Sequence, residues 1–101
     1  MNIFLTQHFR KKKELYKENE DVKIIIRVFG SDKKRINITT SVKVQLQNWI
    51  PNWKDTHNKN PINEREPDSK SKNLILKTEL KRVEDIVFNI QKNDGIPTTD
   101  L

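Results

Sequence analysis

The sequence predicts an α+β domain: a three-stranded antiparallel β-sheet packed on one face by a long C-terminal α-helix. Three observations carry that prediction. The stretches "VKIIIRVF" (22–29) and "KRINITTSV" (34–42) alternate at the period of two that a half-buried strand requires. The residues between them, "GSDK" (30–33), hold turn chemistry, with Gly30 free to take positive φ and Asp32 able to bond its own backbone. Far downstream, Leu76, Leu80, Val83, Val87 and Ile90 follow spacings of four, three, four and three, a seam that belongs to a helix. With 101 residues the chain has room for one such core.

The first strand is expected in "NIFLTQHF" (2–9), where Ile3, Leu5 and Phe9 share one parity and Phe4, Thr6, His8 and Arg10 the other. "RKKKELYKENED" (10–21) is a charged connector that can form a helical turn but lacks an apolar stripe to anchor one. The second strand is the clearest, because β-branched residues suit a pleated, half-buried surface. Val22, Ile24, Ile26 and Val28 face one way, and Ile36, Ile38, Thr40 and Val42 of the third strand join them. The meander is expected over 1–44, with one covered face.

"QLQNWIPNWKD" (45–55) ends the alternation. Trp49 and Trp53, four apart, suit one short helical turn despite Pro51, and Trp49 is expected to plug the core under the end of the sheet rather than stack on bases. The remainder of 45–72 is polar and broken by Pro61 and Pro67, which predicts an extended, mobile loop. The helix is expected over 73–93, with Asp68, Ser69 and Ser71 as cap candidates and Asn93, Asp94 and Gly95 closing it before Pro97. At about 1.5 Å per residue it outruns a strand of usual length, so one end should overhang the sheet. The domain is bounded at 1–95. The last residues, 96–101 of "GIPTTDL", read as a linker or the start of a further element, and the chain is expected to be a fragment of a longer protein.

Charged residues make up 34% and hydrophobic residues 33%, so the core is thin and the surface strongly ionic. The net charge of +6 is unevenly placed. Residues 1–45 hold eleven Lys/Arg against five Asp/Glu, whereas residues 46–101 hold nine of each. The whole positive excess therefore lies in the strand-forming half, which either is a solvated basic face or meets a polyanion.

Several classes of function find no footing. There is no cysteine, hence no disulfide or thiolate metal site, and a reducing compartment is expected. No segment approaches the about 18 apolar residues of a membrane span, and "MNIFLTQHF" is not built as a signal peptide. His8 and His57 are the only histidines and have no second ligand at metal spacing. The carboxylates of 64–68 sit in the expected mobile loop, where nothing would fix their geometry. Two glycines, Gly30 and Gly95, cannot make a phosphate loop. No cofactor, metal site or catalytic residue is expected.

The strand order with its basic sheet and late helix resembles the N-terminal arm-type DNA-binding domain of tyrosine recombinases, in particular integrases of bacterial conjugative transposons and related mobile elements. The residues carrying the resemblance run from "KIIIRVFG" through "KKRINITTSVKV", where Thr39-Thr40-Ser41-Val42-Lys43-Val44 stands for the family's Ser-Thr-Gly-Ile-Lys-Val-like stretch. Trp49 falls five residues after Val44, where the family has its Trp. Ser41 in place of Gly, and Ile50 after Trp49 in place of an acidic residue or Asn, depart from the pattern. The resemblance implies that the domain binds arm-type repeats of double-stranded DNA with its sheet in the major groove. It also implies a bacterial, cytoplasmic, nucleoid-associated protein. The partners implied are the remaining integrase domains and accessory recombination proteins. Strand-exchange chemistry would reside in a C-terminal domain outside this chain, so Tyr16, in the charged connector, is not its nucleophile.

Parity then names the working residues. A major groove admits a β-ribbon whose outward side chains reach base edges and phosphates. Arg27, Arg35 and Asn37 are the expected base readers, since Arg can fork to guanine and Asn to adenine. His8, Arg10, Lys23 and Thr39 support them from the edges, and Lys33 and Lys34 at the turn are candidate phosphate clamps. The alternative for each is plain solvated surface. Ile25 and Phe29 share the outward parity and are expected to be partly exposed or to meet the chain around Trp49. Two other functions compete with DNA binding: an RNA-binding module stacking bases on Phe4 and Phe29, and a protein-interaction module using the helix overhang with Ile86 and Phe88.

Overall fold

The computed structural model describes residues 2–30 and 34–94, with side chains to residue 90. It holds a three-stranded antiparallel sheet, β1 (Asn2–His8), β2 (Asp21–Phe29) and β3 (Arg35–Gln45), with β2 in the middle, and one long helix, α1 (Ser69–Asp94). The predicted α+β architecture is therefore the observed one. Among the described residues no helix is long and apolar enough to cross a membrane.

Register makes one face of the sheet aliphatic. Ile3 lies opposite Val28 and Leu5 opposite Ile26, while Val22 lies opposite Val44 and Ile26 opposite Ile38. Against this face α1 sets Leu76, Leu80, Val83 and Val87, all buried in one cluster with the strand residues. The helix rests on both outer strands, β1 and β3, and so bridges the sheet. Each large aliphatic side chain taken fully out of water contributes about 1.5–3 kcal/mol, which lets so thin a core hold together. A local cost lies in the same layer: Gln7, opposite Ile24, has its Nε2 buried with no hydrogen-bond partner among the described residues.

β3 is longer than predicted and carries an irregularity. Ile25 pairs with Thr39, yet Lys23 pairs with Lys43, so β3 holds two more residues than β2 across this stretch. Thr40 stitches the bulge: its hydroxyl donates to the Ile24 carbonyl (2.6 Å) and accepts from the Val42 N–H (3.2 Å). Because the excess is two residues, parity survives, and Val42 and Val44 still point into the core. At the other end of the hairpin the Gly30 N–H donates to the Lys34 carbonyl (3.0 Å); Ser31, Asp32 and Lys33 of the predicted turn lie outside the described residues.

The charged connector does form a helical turn, a 3-10 turn at Lys13–Leu15. Its anchor is aromatic and polar instead of an apolar stripe. Tyr16 meets Phe9 edge-on at 5.3 Å between centroids, its hydroxyl accepts from the Arg10 N–H (2.8 Å), and the Lys11 ammonium lies 4.7 Å from its ring centre.

The largest correction concerns 45–72. The expectation of an extended, mobile loop fails, because the segment folds into a strap bound to both the sheet and the helix. Two 3-10 turns, Leu46–Asn48 and Trp53–Asp55, shorten it. Trp49 and Ile62 pair across it, with the Ile50 N–H donating to the Pro61 carbonyl and the Asn63 N–H to the Asn48 carbonyl, both at 2.9 Å. Ile62 is fully buried in the core, and Asn73 of α1 brackets its backbone, accepting from its N–H (3.0 Å) and donating to its carbonyl (3.3 Å). Trp49 and Trp53 are both half-buried against the core cluster, so the expected core role of Trp49 holds. Trp49 itself is extended, whereas the expectation was that the two Trp residues would share a turn.

Glu66 is the centre of the strap and a second correction, since a carboxylate in 64–68 does have fixed geometry. It is 3% exposed. Its Oε1 accepts from the Gln45 N–H and from Asn48 Nδ2, both at 2.9 Å, and its Oε2 pairs with Lys72 Nζ at 2.7 Å. Strand end, strap and helix thus meet on one group. The same knot explains why α1 begins at Ser69, four residues before the predicted start: Asp68, at φ 58°, turns the chain and its carbonyl accepts from the Lys72 N–H (2.9 Å), the first bond of the helix. Asp tolerates this left-handed region better than most residues. Asn93 and Asp94 end the described helix; Gly95, Pro97 and the segment 96–101 lie outside the described residues.

Candidate nucleic-acid interface

The face of the sheet opposite α1 is built in cross-strand rows, read directly from the pairing. From the turn end they are Asn2–Phe29–Arg35, Phe4–Arg27–Asn37, Thr6–Ile25–Thr39 and His8–Lys23–Lys43. Successive rows lie about 6.6 Å apart along the strands. Basic side chains therefore occupy both ends, and a neutral Thr–Ile–Thr row separates them. Among the described residues of this face Asp21, at the start of β2, is the single carboxylate.

Most of the sequence-predicted residues come together here. Arg27 and Asn37 are direct cross-strand partners, and Arg27 Nε donates to Asn37 Oδ1 at 3.1 Å. That bond orients both planar groups side by side and leaves Arg27 its terminal nitrogens as donors and Asn37 its amide nitrogen. Arg35 is exposed one row away, beside Phe29, and Thr39 is exposed next to Ile25. His8 and Lys23 share the far row, with Arg10 exposed just beyond it. Lys34 is exposed at the opposite, turn end, about 20 Å away along the strands. Lys33 lies outside the described residues.

Ile25 departs from expectation. It faces away from the helix but is 1% exposed rather than partly exposed, whereas Phe29 is partly exposed as expected. Its flanks are Thr6 and Thr39, and on its own strand Lys23 and Arg27 are half-buried, their alkyl stems covering apolar surface while their charged ends reach water. Phe29 is half-buried and stacked on Phe4, with ring centres 6.0 Å apart and planes at 26°. The outward face thus has an apolar floor beneath its charges.

Lys43 is the residue that sequence reasoning missed. Its parity was visible, the same as that of Arg35, Asn37 and Thr39. Its place opposite Lys23 was not, because an unbroken register would have set Ser41 there. Off the sheet, the exposed apolar side chains of α1 include Ile86 and Phe88, as expected, and also Leu74 and Ile75 near its start.

Comparison of the chain with family models, with curated proteins and with solved structures returns no match.

Proposed function

We propose that the chain is a double-stranded DNA-binding module that lays the open face of its sheet in the major groove, as the arm-type domains of tyrosine recombinases do. The observation that carries this reading is the Phe4–Arg27–Asn37 row: a pre-oriented Arg–Asn pair on a sheet face whose two ends are cationic. Arg forks to guanine and Asn to adenine, and a phenylalanine beside them suits a thymine methyl. The Arg27 row and the Lys23 row stand about 13 Å apart, close to the about 12 Å width of a B-DNA major groove, so bases can be read near one row while phosphates are held at both ends. Binding of a mobile element's end repeats, and attachment to a catalytic region that cuts and rejoins DNA, belong to the same proposal and rest on the resemblance of "KIIIRVFG" and "TTSVKV".

The test is duplex affinity as a function of salt. About five phosphate contacts give a log–log slope near −4 to −5. Absence of measurable duplex binding, or binding indifferent to salt, overturns the reading. Competition with RNA separates it from the RNA-binding alternative, for which the stacked pair Phe4–Phe29 is the one supporting feature.

A further inference from the structure

At the end of the sheet away from the hairpin turn, the connector between β1 and β2 faces the last cross-strand row across a cleft of about 380 Å³. Its cationic lining is Lys23, Lys43, Arg10 and Lys11, and His8, Tyr16, Val22 and the carboxylates Glu20 and Asp21 complete the wall. His8 lies opposite Lys23 and Lys23 opposite Lys43, so three basic side chains stand side by side across all three strands. Like charges placed directly opposite destabilise a sheet. The two-residue bulge tied by Thr40 is what puts Lys43, instead of Ser41, into this row.

The two carboxylates that line the cleft offset only half of its positive charge. Glu20 is occupied by Lys11, at 2.9 Å. The hydrogen bond from Lys11, followed by that from the Lys17 N–H, holds the Glu20 carboxyl below its usual range, so the ion pair persists at neutral pH. Asp21 is exposed and lies opposite Gln45. Among the described residues, no carboxylate lies within ion-pair distance of Lys23, Lys43 or the Arg10 guanidinium. The four cations against two carboxylates leave a surplus of two positive charges around a space large enough for one tetrahedral oxyanion.

We infer that this cleft seats a single phosphate group, gripped between Lys23 and Lys43 and closed at the rim by Arg10. The inference deepens the duplex-binding reading and rests on it for the source of the phosphate, a backbone phosphodiester; a free phosphate presents the same oxygens. The Lys11–Tyr16–Glu20 wall bounds the seat on the connector side, so the phosphate contact would set the register of the duplex relative to the Arg27–Asn37 pair.

Two measurements on the full chain test it. The first follows the His8 ring resonances while inorganic phosphate replaces chloride at constant ionic strength. A saturable shift is expected, weakened at least about tenfold in the Lys23→Ala/Lys43→Ala double variant, since each lost charge-assisted contact costs on the order of tenfold. The second measures duplex affinity against salt for Lys43→Ala. Affinity should fall alike for every sequence, and the slope should shrink by about one. Lys43→Gln repeats both measurements with the stem retained, and a melting temperature that is not lowered certifies the fold. A phosphate shift without duplex binding supports the cleft and overturns the duplex reading. Duplex binding with neither the shift nor the change in slope overturns the cleft and leaves the duplex reading standing. A shift with an unchanged slope retains the seat for free phosphate and overturns the backbone as its source.

Discussion

Two charged centres of this domain lie within a few residues of each other along β3, and they are resolved in opposite ways. Around Glu66, at the end of β3, every charge and donor is matched: a backbone N–H, a side-chain amide and an ammonium converge on one buried carboxylate. Around Lys43, two residues earlier than Gln45, Lys23 and Lys43 stand beside one another, and among the described residues neither forms an ion pair. The first arrangement is complete within the chain and ties three segments together. The second would be completed by the phosphate proposed for the cleft.

Removing Glu66 breaks the comparison most severely. Glu66→Ala strands the Asn48 amide and the Gln45 N–H, and urea unfolding should show a loss of about 2–3 kcal/mol, as expected when a buried carboxylate is removed from two buried or half-buried donors. A loss below about 0.5 kcal/mol would mean that the strap does not depend on this knot. The carboxyl also writes a pH signature. Burial pushes its pKa up, but the hydrogen bonds from Asn48, Lys72 and Gln45 together outweigh burial and hold it below the usual 4.5. A folded-state value below the unfolded one stabilises fully above about pH 4.5, and that stabilisation is lost as the pH falls through the lower folded value. Stability curves of the parent and Glu66→Gln should therefore converge with acidification across that window. Parallel curves would remove Glu66 from the acid response.

On the open face the expected effect is more in recognition than in folding. Arg27→Ala should cost about 1–3 kcal/mol of duplex affinity and relax the preference at one base position, with a smaller loss of unfolding free energy, about 1 kcal/mol, from the stem that covers Ile25. An unchanged site preference removes Arg27 from the readers. A smaller effect of opposite sign is expected at Gln7, the polar group of the inner face that Glu66's completeness throws into relief. Its buried amide has no partner among the described residues, so Gln7→Leu should raise stability by about 1 kcal/mol in the same urea assay. A destabilised variant would show that the amide is satisfied in solution.

Much of the molecule was legible before any coordinates. The even-numbered aliphatics of β2 and the seam of α1 announced which faces meet, because burial imposes a period on each element separately. The odd-numbered Arg27, Arg35 and Asn37 announced the opposite face by the same rule. The strap was not legible. Glu66, Asn48 and Asn73 are ordinary loop and helix polar residues until Gln45, Lys72 and Ile62 supply their partners from six to 21 positions away. Polar loop composition shows no periodicity, so nothing in it distinguishes a bound segment from a free one.

The sequence by itself determined the three strands and the helix, the inward and outward sets, and the concentration of positive charge on the strand half. Those follow from local propensity and side-chain alternation, which act over a few residues. Only the tertiary structure decided that Lys43 stands beside Lys23 and His8, that Ile25 is covered on the open face, and that Glu66 locks strap to sheet and helix. Each of these depends on register and on contacts between distant segments, and a two-residue bulge changes the register while leaving every parity intact.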